Sequence, residues 1–442
     1  MKKYDAIILG SGAAGKHIAS EFAKQHKSVA IVEKDLEAFG GACINVACIP
    51  TKALIEFSLR GIPYEEAIER KNKLTAQLKE NAYDSLDKKE KVTIFEGEAR
   101  FKSNNEIEIV SDQDNEVLAG EHIVIDTGST PIYPPIKGLD KVGNVFTSTS
   151  LIEETELPET LIIIGGGYIG LEFASMYASF GSKVKVVNSE NELMPQEESR
   201  VTKHVQEALE EKGVQFTFGA KAEKVEAKGS DLMVHLADGK KLTGEAILLA
   251  TGRKPNIKNL QLDHTDIVVD NGAIKVNDRM ETDVKNVWAV GDVRGEMQFT
   301  YISHDDGRIV NNQIFGDRSY LLKERNNVQY TVFVDPPLSR VGYTKKAAEE
   351  AGYEVITNEL PVSALPRAKM MGEERGLFTA VVDKKSKKIL GVSLFGPRSE
   401  ELINIVKIAI DHEWLYSDMR DQIFTHPVMS ESLNNLFDVE MN

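Results

Sequence analysis

Cysteine is almost missing from this chain: 442 residues contain two, Cys43 and Cys48. A structural disulfide framework is therefore not expected, and no metal site is expected either. Positive charge is in deficit, with 53 Lys and Arg against 69 Asp and Glu and a formal net charge of −16. No basic excess is available to neutralise phosphates, so nonspecific binding to nucleic acid or to an anionic membrane is not expected. Uninterrupted apolar runs are short, and none approaches the ~18 residues of a membrane span. The N-terminal run Ala6–Leu9 follows two lysines in the manner of a signal peptide, but it stops at Gly10 without a cleavage pattern. The expected location is the cytoplasm, where a thiol pair reads as transient and catalytic. Hydrophobic content of 41% and charged content of 28% are ordinary for a large globular enzyme. The length fits two to four domains.

Both cysteines fall in the run Gly40-Gly41-Ala42-Cys43-Ile44-Asn45-Val46-Ala47-Cys48-Ile49-Pro50-Thr51-Lys52. That run follows a glycine-rich signature. A strand over Asp5–Leu9 leads into Gly10, Gly12 and Gly15, then a helix over Lys16–Gln25 and a strand over Ser28–Val32 ending at Glu33. Glycines at these spacings allow a tight turn and let backbone N–H groups approach a pyrophosphate at a helix N-terminus. Glu33 stands where an acid can hydrogen-bond ribose hydroxyls.

The plan repeats. Strand Leu161–Ile164 precedes Gly165, Gly167 and Gly170, and a helix over Leu171–Phe180 leads to a strand over Ser182–Val187. Asn188 stands as far beyond Gly165 as Glu33 stands beyond Gly10. Two dinucleotides are expected, the second without a ribose-binding carboxylate. Asn188 and Ser189 offer neutral groups there, which leans towards NADPH, or use of both nicotinamides, over strict NADH. Arg200 and Lys203 lie further along and are able to fold back, while Glu190 and Glu192 are acidic.

Three strand-to-glycine turns, at Gly128, Gly252 and Gly291-Asp292, mark joints. They predict a first domain over 1–145, an inserted nucleotide domain over 146–245, a return to the first over 246–326, and an α+β domain over 327–442. The fold class is α/β, with two Rossmann-like domains and a C-terminal domain.

These residues resemble the class I pyridine nucleotide–disulfide oxidoreductases, which are homodimeric flavoenzymes. The resemblance runs nearly end to end through GSGAAG, GGACINVACIPTK, GGGYIG with Glu172, ATGRKPN, AVGDV and THPVMSE. Within the family, Phe299–Ser303, Leu365–Lys369, Thr425–Pro427 and Ser430–Asn434 are similar to the bacterial hypothiocyanous acid reductases. Ala42 and Ala47 depart from the family pattern, which has Thr and Gly there, and Ala47 removes freedom at any position needing φ > 0.

The resemblance implies FAD and NADPH (or NADH) as cofactors and a redox-active Cys43–Cys48 disulfide. It makes Cys48 the flavin-facing thiol and Cys43 the thiol that meets the oxidant. His426 becomes the acid/base oriented by Glu431, reaching the partner subunit's thiols in a homodimer. Lys52 and Glu172 become an ion pair beside the flavin, Tyr168 a gate over the nicotinamide pocket, and Asp292 a ligand of the FAD ribityl or phosphate region. The expected activity is NAD(P)H-dependent reduction of a small-molecule oxidant, hypothiocyanous acid, to thiocyanate. Lipoamide dehydrogenase is the main alternative and glutathione-type disulfide reduction the next, with copper(II) reduction as a side reaction. A flavin redox sensor or a subunit of a complex is the alternative of another class. Mercuric and large-type thioredoxin reductases are disfavoured because no second thiol pair exists.

Overall fold

The strand Lys2–Leu9 carries four consecutive buried residues, Ala6 to Leu9, and needs cover on both faces, as parallel strands do. It pairs in parallel with Val29–Glu33 on one side and Glu116–Ile125 on the other. The computed structural model, which describes residues 1–111 and 115–439, places these strands in a seven-stranded sheet. Val92–Glu96 and Val287–Ala289 extend the parallel part, while Glu106–Val110 and Glu98–Ser103 continue antiparallel from Glu116–Ile125.

The helix after the first turn begins at Ala13, earlier than the sequence places it, so Gly15 lies inside its first turn. A Cβ on Gly15 would sit 2.8 Å from the Ile8 side chain, so this glycine is what lets the helix close on the strand. The second helix likewise begins at Tyr168 and encloses Gly170, whose Cβ would fall 2.0 Å from the Gly165 carbonyl oxygen.

The second sheet has five parallel strands in the order Gln215–Thr217, Lys183–Val187, Thr160–Ile164, Ala246–Leu249, Val145–Thr147. Leu161 and Ile163 face the helices, whereas Ile162 and Ile164 face the antiparallel layer that contains Val225, Leu232 and Val234. The pairing corrects the domain limits. Val145 and Ala246–Leu249 belong to this sheet, so the chain returns to the first domain after Leu249 and not at 246. The crossings at Ser129–Pro131 and Arg253–Pro255 pair with each other as a two-stranded antiparallel ribbon.

The C-terminal domain is a five-stranded antiparallel sheet in the order Tyr330–Val332, Leu338–Gly342, Ile389–Phe395, Leu377–Asp383, Val355–Pro361. The helix Ser399–Asp411 packs on it through Leu402, Ile403 and Val406. Among the described residues, one stretch, Ala42–Leu59, reaches a mean hydropathy of 1.4 over 18 residues. It is broken at Val46-Ala47 into helices Ala42–Asn45 and Cys48–Leu59, and the second packs on Tyr64–Asp87 and Tyr168–Phe180.

Candidate functional site

A cavity of about 1770 Å³ runs between the three domains. Its walls include Gly10, Gly12, Glu33, Cys43, Cys48 and Lys52 from the first domain, with Gly128, Gly252 and Asp292 at the joints. Gly167, Tyr168, Glu172 and Asn188 line it from the second domain, and Tyr330, Phe333 and Arg340 from the third. Gly15, Gly165 and Gly170 stand behind the wall as packing positions, and Ser189 is exposed outside it.

The two motifs of the first domain are bolted together. The Ser11 hydroxyl donates to Glu33 Oε2 at 2.7 Å and accepts from the Gly40 N–H at 2.8 Å. The Lys16 ammonium donates to the Gly40 carbonyl at 3.1 Å. The glycine turn and the cysteine run thus share one rigid frame. Gly41, at φ +75°, brings its α-carbon so close to the turn that a Cβ would lie 2.9 Å from Gly12 Cα. Ala47 has φ −132°, outside the left-handed region, so its methyl group brings no strain of that kind.

Cys43 and Cys48 are free thiols hydrogen-bonded to one another. Cys48 opens the helix Cys48–Leu59, and its sulfur lies 3.1 Å from the hydroxyl of Thr300, which opens the helix Thr300–Phe315. Two helix N-termini therefore converge on one sulfur, a placement that favours a thiolate. The hydrogen bond from Cys43, then those of Thr300 and the charge of Lys52, bring Cys48 down to about 6 against the opposing effect of burial. The same pairing, with burial, pushes Cys43 up. The pairing thus favours the thiolate on Cys48 and the thiol on Cys43.

Lys52 sits one turn along the same helix and bonds Glu172 Oε2 at 2.6 Å. Glu172 Oε1 accepts the Phe333 N–H at 2.9 Å, so this carboxylate ties all three domains together beside the cysteines. Asp292 accepts from the Ser129 hydroxyl at 2.7 Å, and that hydroxyl accepts from Arg253 Nε at 2.8 Å. Burial raises the Asp292 carboxyl, with Ser129 and Arg253 opposing.

Asn188 borders the cavity, but its amide nitrogen is spent on the carbonyls of Glu190 and Glu192, at 3.3 and 2.9 Å. Arg200 does not fold back towards it; its guanidinium pairs with Glu359. His426 and Glu431 meet each other, Nδ1 to Oε2 at 2.8 Å, but neither lines the cavity of its own chain. The His426 side chain is 75% exposed on the C-terminal domain, with Ile423 95% exposed nearby in sequence.

The residues fit a bound dinucleotide at each glycine turn. At Gly128 and Gly167 an added Cβ meets nothing within 4 Å, because both border open cavity. Glu33 and Asn188 stand at the ends of equivalent strands. Among the described residues no group of three or more His, Cys, Asp or Glu is placed to hold a metal ion.

Several participants escape a reading of motifs. Thr300 and Arg253 lie inside recognisable runs, yet only their contacts reveal a role. Asp126 is a buried carboxyl, 7% exposed, beneath the first glycine turn, where Oδ2 accepts the Gly15 N–H at 2.7 Å. Burial pushes its carboxyl well up, and Asp292 and Asp306 add to that, while the Gly15 N–H and Lys16 oppose it. An acid raised in the folded state costs stability as pH rises above its unfolded value of about 4. Asp126→Asn keeps the acceptor for Gly15 and removes the charge. The FAD-loaded variant should melt at or above the parent at pH 8, with the difference closing towards pH 4. Identical pH dependence of Tm in the two proteins would rule the argument out.

Comparison with known proteins adds to this geometry. The pyridine nucleotide-disulphide oxidoreductase pattern matches residues 4–307, and that family's dimerisation domain matches residues 328–437. The chain is 41% identical over 438 residues to the probable pyridine nucleotide-disulfide oxidoreductase RclA of Escherichia coli (strain K12), covering 99% of each protein. It is 30% identical to a dihydrolipoyl dehydrogenase of Bacillus subtilis (strain 168), covering 98% of this chain and 96% of that one. A copper(II) complex of the HOCl-induced flavoprotein disulfide reductase RclA from Escherichia coli superposes with a TM-score of 0.97 over 99% of both chains, at 41% identity.

Proposed function

This chain belongs to the pyridine nucleotide–disulphide oxidoreductases, and on that premise we propose that it reduces hypothiocyanous acid to thiocyanate at Cys43 and Cys48 in the cytoplasm. The family uses FAD and a nicotinamide dinucleotide. When bound, FAD supplies a two-electron relay from NADPH or NADH to the cysteine pair. The observation that carries the reading is the placement of the pair itself: the chain's two cysteines together at a shared cavity, with two helix N-termini converging on the Cys48 sulfur.

His426 of the partner subunit takes the Cys43 proton, and the Cys43 thiolate attacks the sulfur of hypothiocyanous acid. The S–O bond breaks, and the departing hydroxide takes the proton back from that imidazole to leave as water. Cys43 is left as a sulfenyl thiocyanate. The Cys48 thiolate then attacks the Cys43 sulfur, forming the disulfide and releasing thiocyanate. Thiolate, thiol and oxidant become disulfide, thiocyanate and water, with one negative charge on each side. Glu431 fixes the His426 tautomer by accepting at Nδ1, which leaves Nε2 for the proton. Lys52, held by Glu172, places a cation beside Cys48. Gly10, Gly12, Glu33, Gly128 and Asp292 are assigned to FAD, and Gly167, Tyr168, Asn188, Ser189 and Gly252 to the nicotinamide dinucleotide.

A small oxidant needs no broad recognition surface, and the HOCl-induced character of the Escherichia coli relative supports an oxidant-defence role. The test is steady-state oxidation of NADPH and of NADH with hypothiocyanous acid, oxidised lipoamide and glutathione disulfide in parallel. Fast turnover with hypothiocyanous acid alone is expected. Fast turnover with lipoamide instead would overturn the substrate while leaving the cysteine chemistry in place.

A further inference from the structure

Around Tyr168 the second and third domains build a closed polar cluster. The Tyr168 hydroxyl donates to Glu197 Oε1 at 2.7 Å and accepts from the Gln196 side-chain amide at 2.9 Å. Glu197 is 7% exposed, and the Tyr330 hydroxyl donates to the same Oε1. Its other oxygen faces Arg340 Nε at 2.8 Å. Arg340 also donates to the Tyr330 hydroxyl at 2.7 Å, and its guanidinium lies 5.1 Å over the Tyr330 ring. Tyr330 and Arg340 are direct cross-strand partners in the C-terminal sheet, so their spacing is set by the fold.

The rings are ordered as well. Tyr168 stacks on Tyr330 with centroids 5.4 Å apart, and Tyr330 continues onto Phe299 at 6.1 Å. The carboxylate has its charge paired by the arginine and takes both phenol hydrogen bonds on Oε1, while Oε2 accepts none, and the shared partners hold the cluster in one geometry.

We propose that Glu197, clamped by Arg340 and Tyr330, latches Tyr168 across the nicotinamide pocket and so sets how readily the dinucleotide enters. This rests on the reading of the Gly165–Gly170 pocket as the nicotinamide site with Tyr168 as its cover. A nicotinamide ring entering that pocket displaces the phenol, which breaks the Tyr168–Glu197 bond and the Tyr168–Tyr330 stack together. The closed state therefore competes with the dinucleotide. Glu197, Arg340 and Tyr330 are positioning residues: they act on the dinucleotide through Tyr168.

The competent fraction divides the intrinsic dissociation constant, so loosening the latch tightens binding. Glu197→Leu, which removes the acceptor at similar volume, should lower the Kd of the FAD-loaded enzyme for NADP⁺ or NAD⁺, by calorimetry, roughly three- to tenfold, the factor one released hydrogen bond supplies. The change should appear in KM for the nicotinamide and not in KM for the oxidant. Tyr168→Phe, which keeps the ring and removes the bond, should give the same shift, and the double variant should add nothing further. Additive effects, or unchanged affinity in both single variants, would overturn the latch. Tyr168→Ala separates the two levels. If its affinity changes while Glu197→Leu and Tyr168→Phe stay at the parent value, the latch is wrong and the pocket reading stands. If Tyr168→Ala leaves affinity unchanged, the pocket reading fails and the latch with it.

Discussion

Serine at position 43 should lower kcat/KM for hypothiocyanous acid by about a thousandfold or more, the scale on which loss of an essential nucleophile is felt. The hydroxyl is too weakly acidic to attack the oxidant sulfur, and the one thiol that remains, Cys48, is left without a partner cysteine to close a disulfide. The same substitution leaves an O–H donor beside Cys48, which retains the Thr300 hydroxyl, the nearby Lys52 cation and two helix N-termini. Cys48 should therefore still titrate as an acidic thiol, and anaerobic NADPH should still reduce the bound FAD in the variant. The two readouts divide the enzyme in half: electron entry survives and oxidant turnover does not. Full turnover in Cys43→Ser would sink the route.

Alanine at position 426 should cost about 10²- to 10⁴-fold in turnover, the ordinary range for a general acid–base group. A trans arrangement gives this prediction a sharper form. His426 is exposed and lies outside its own chain's cavity, while residues 328–437 match a dimerisation domain. If each His426 serves the partner's cysteines, a mixed dimer of Cys43→Ser and His426→Ala subunits carries one wholly intact site and one doubly damaged site. Co-expression of the two inactive subunits should restore about a quarter of parent activity, because random pairing makes half of the dimers mixed with one working site each. A histidine acting within its own chain predicts no restoration, since every site would then keep one lesion.

Much of the site was legible before the structure because it is written in local patterns. The two glycine turns gave the strand, the crossover helix and the acid or amide at the next strand end, and Glu33 closes its strand as expected. The Lys52–Glu172 and His426–Glu431 pairs, expected from the family resemblance, are both in contact. What local pattern does not reveal is partnership between distant segments. Glu197 meets Arg340 and Tyr330 across more than 130 positions of sequence, and no motif marks any of the three. Asp126 sits in an ordinary strand-to-glycine turn, and only its burial under Gly12 and Gly15 makes it unusual. The limits at 145 and 246 were misplaced for a related reason. Strand order in a parallel sheet depends on crossovers, and Ala246–Leu249 reads alone like any buried apolar strand. Asn188 was correctly placed at its strand end, yet its amide braces the loop at Glu190 and Glu192, a use that its type alone does not specify.

The most direct test of the central claim is a single turnover without air. Enzyme reduced by one equivalent of NADPH is mixed with one equivalent of hypothiocyanous acid, and free thiols and released thiocyanate are counted. The expected result is loss of both thiols of each subunit as the Cys43–Cys48 disulfide, with one thiocyanate released per pair. Thiocyanate release with both thiols still free, or no release at all, would contradict the assignment of the cysteine pair as the site where this oxidant is reduced.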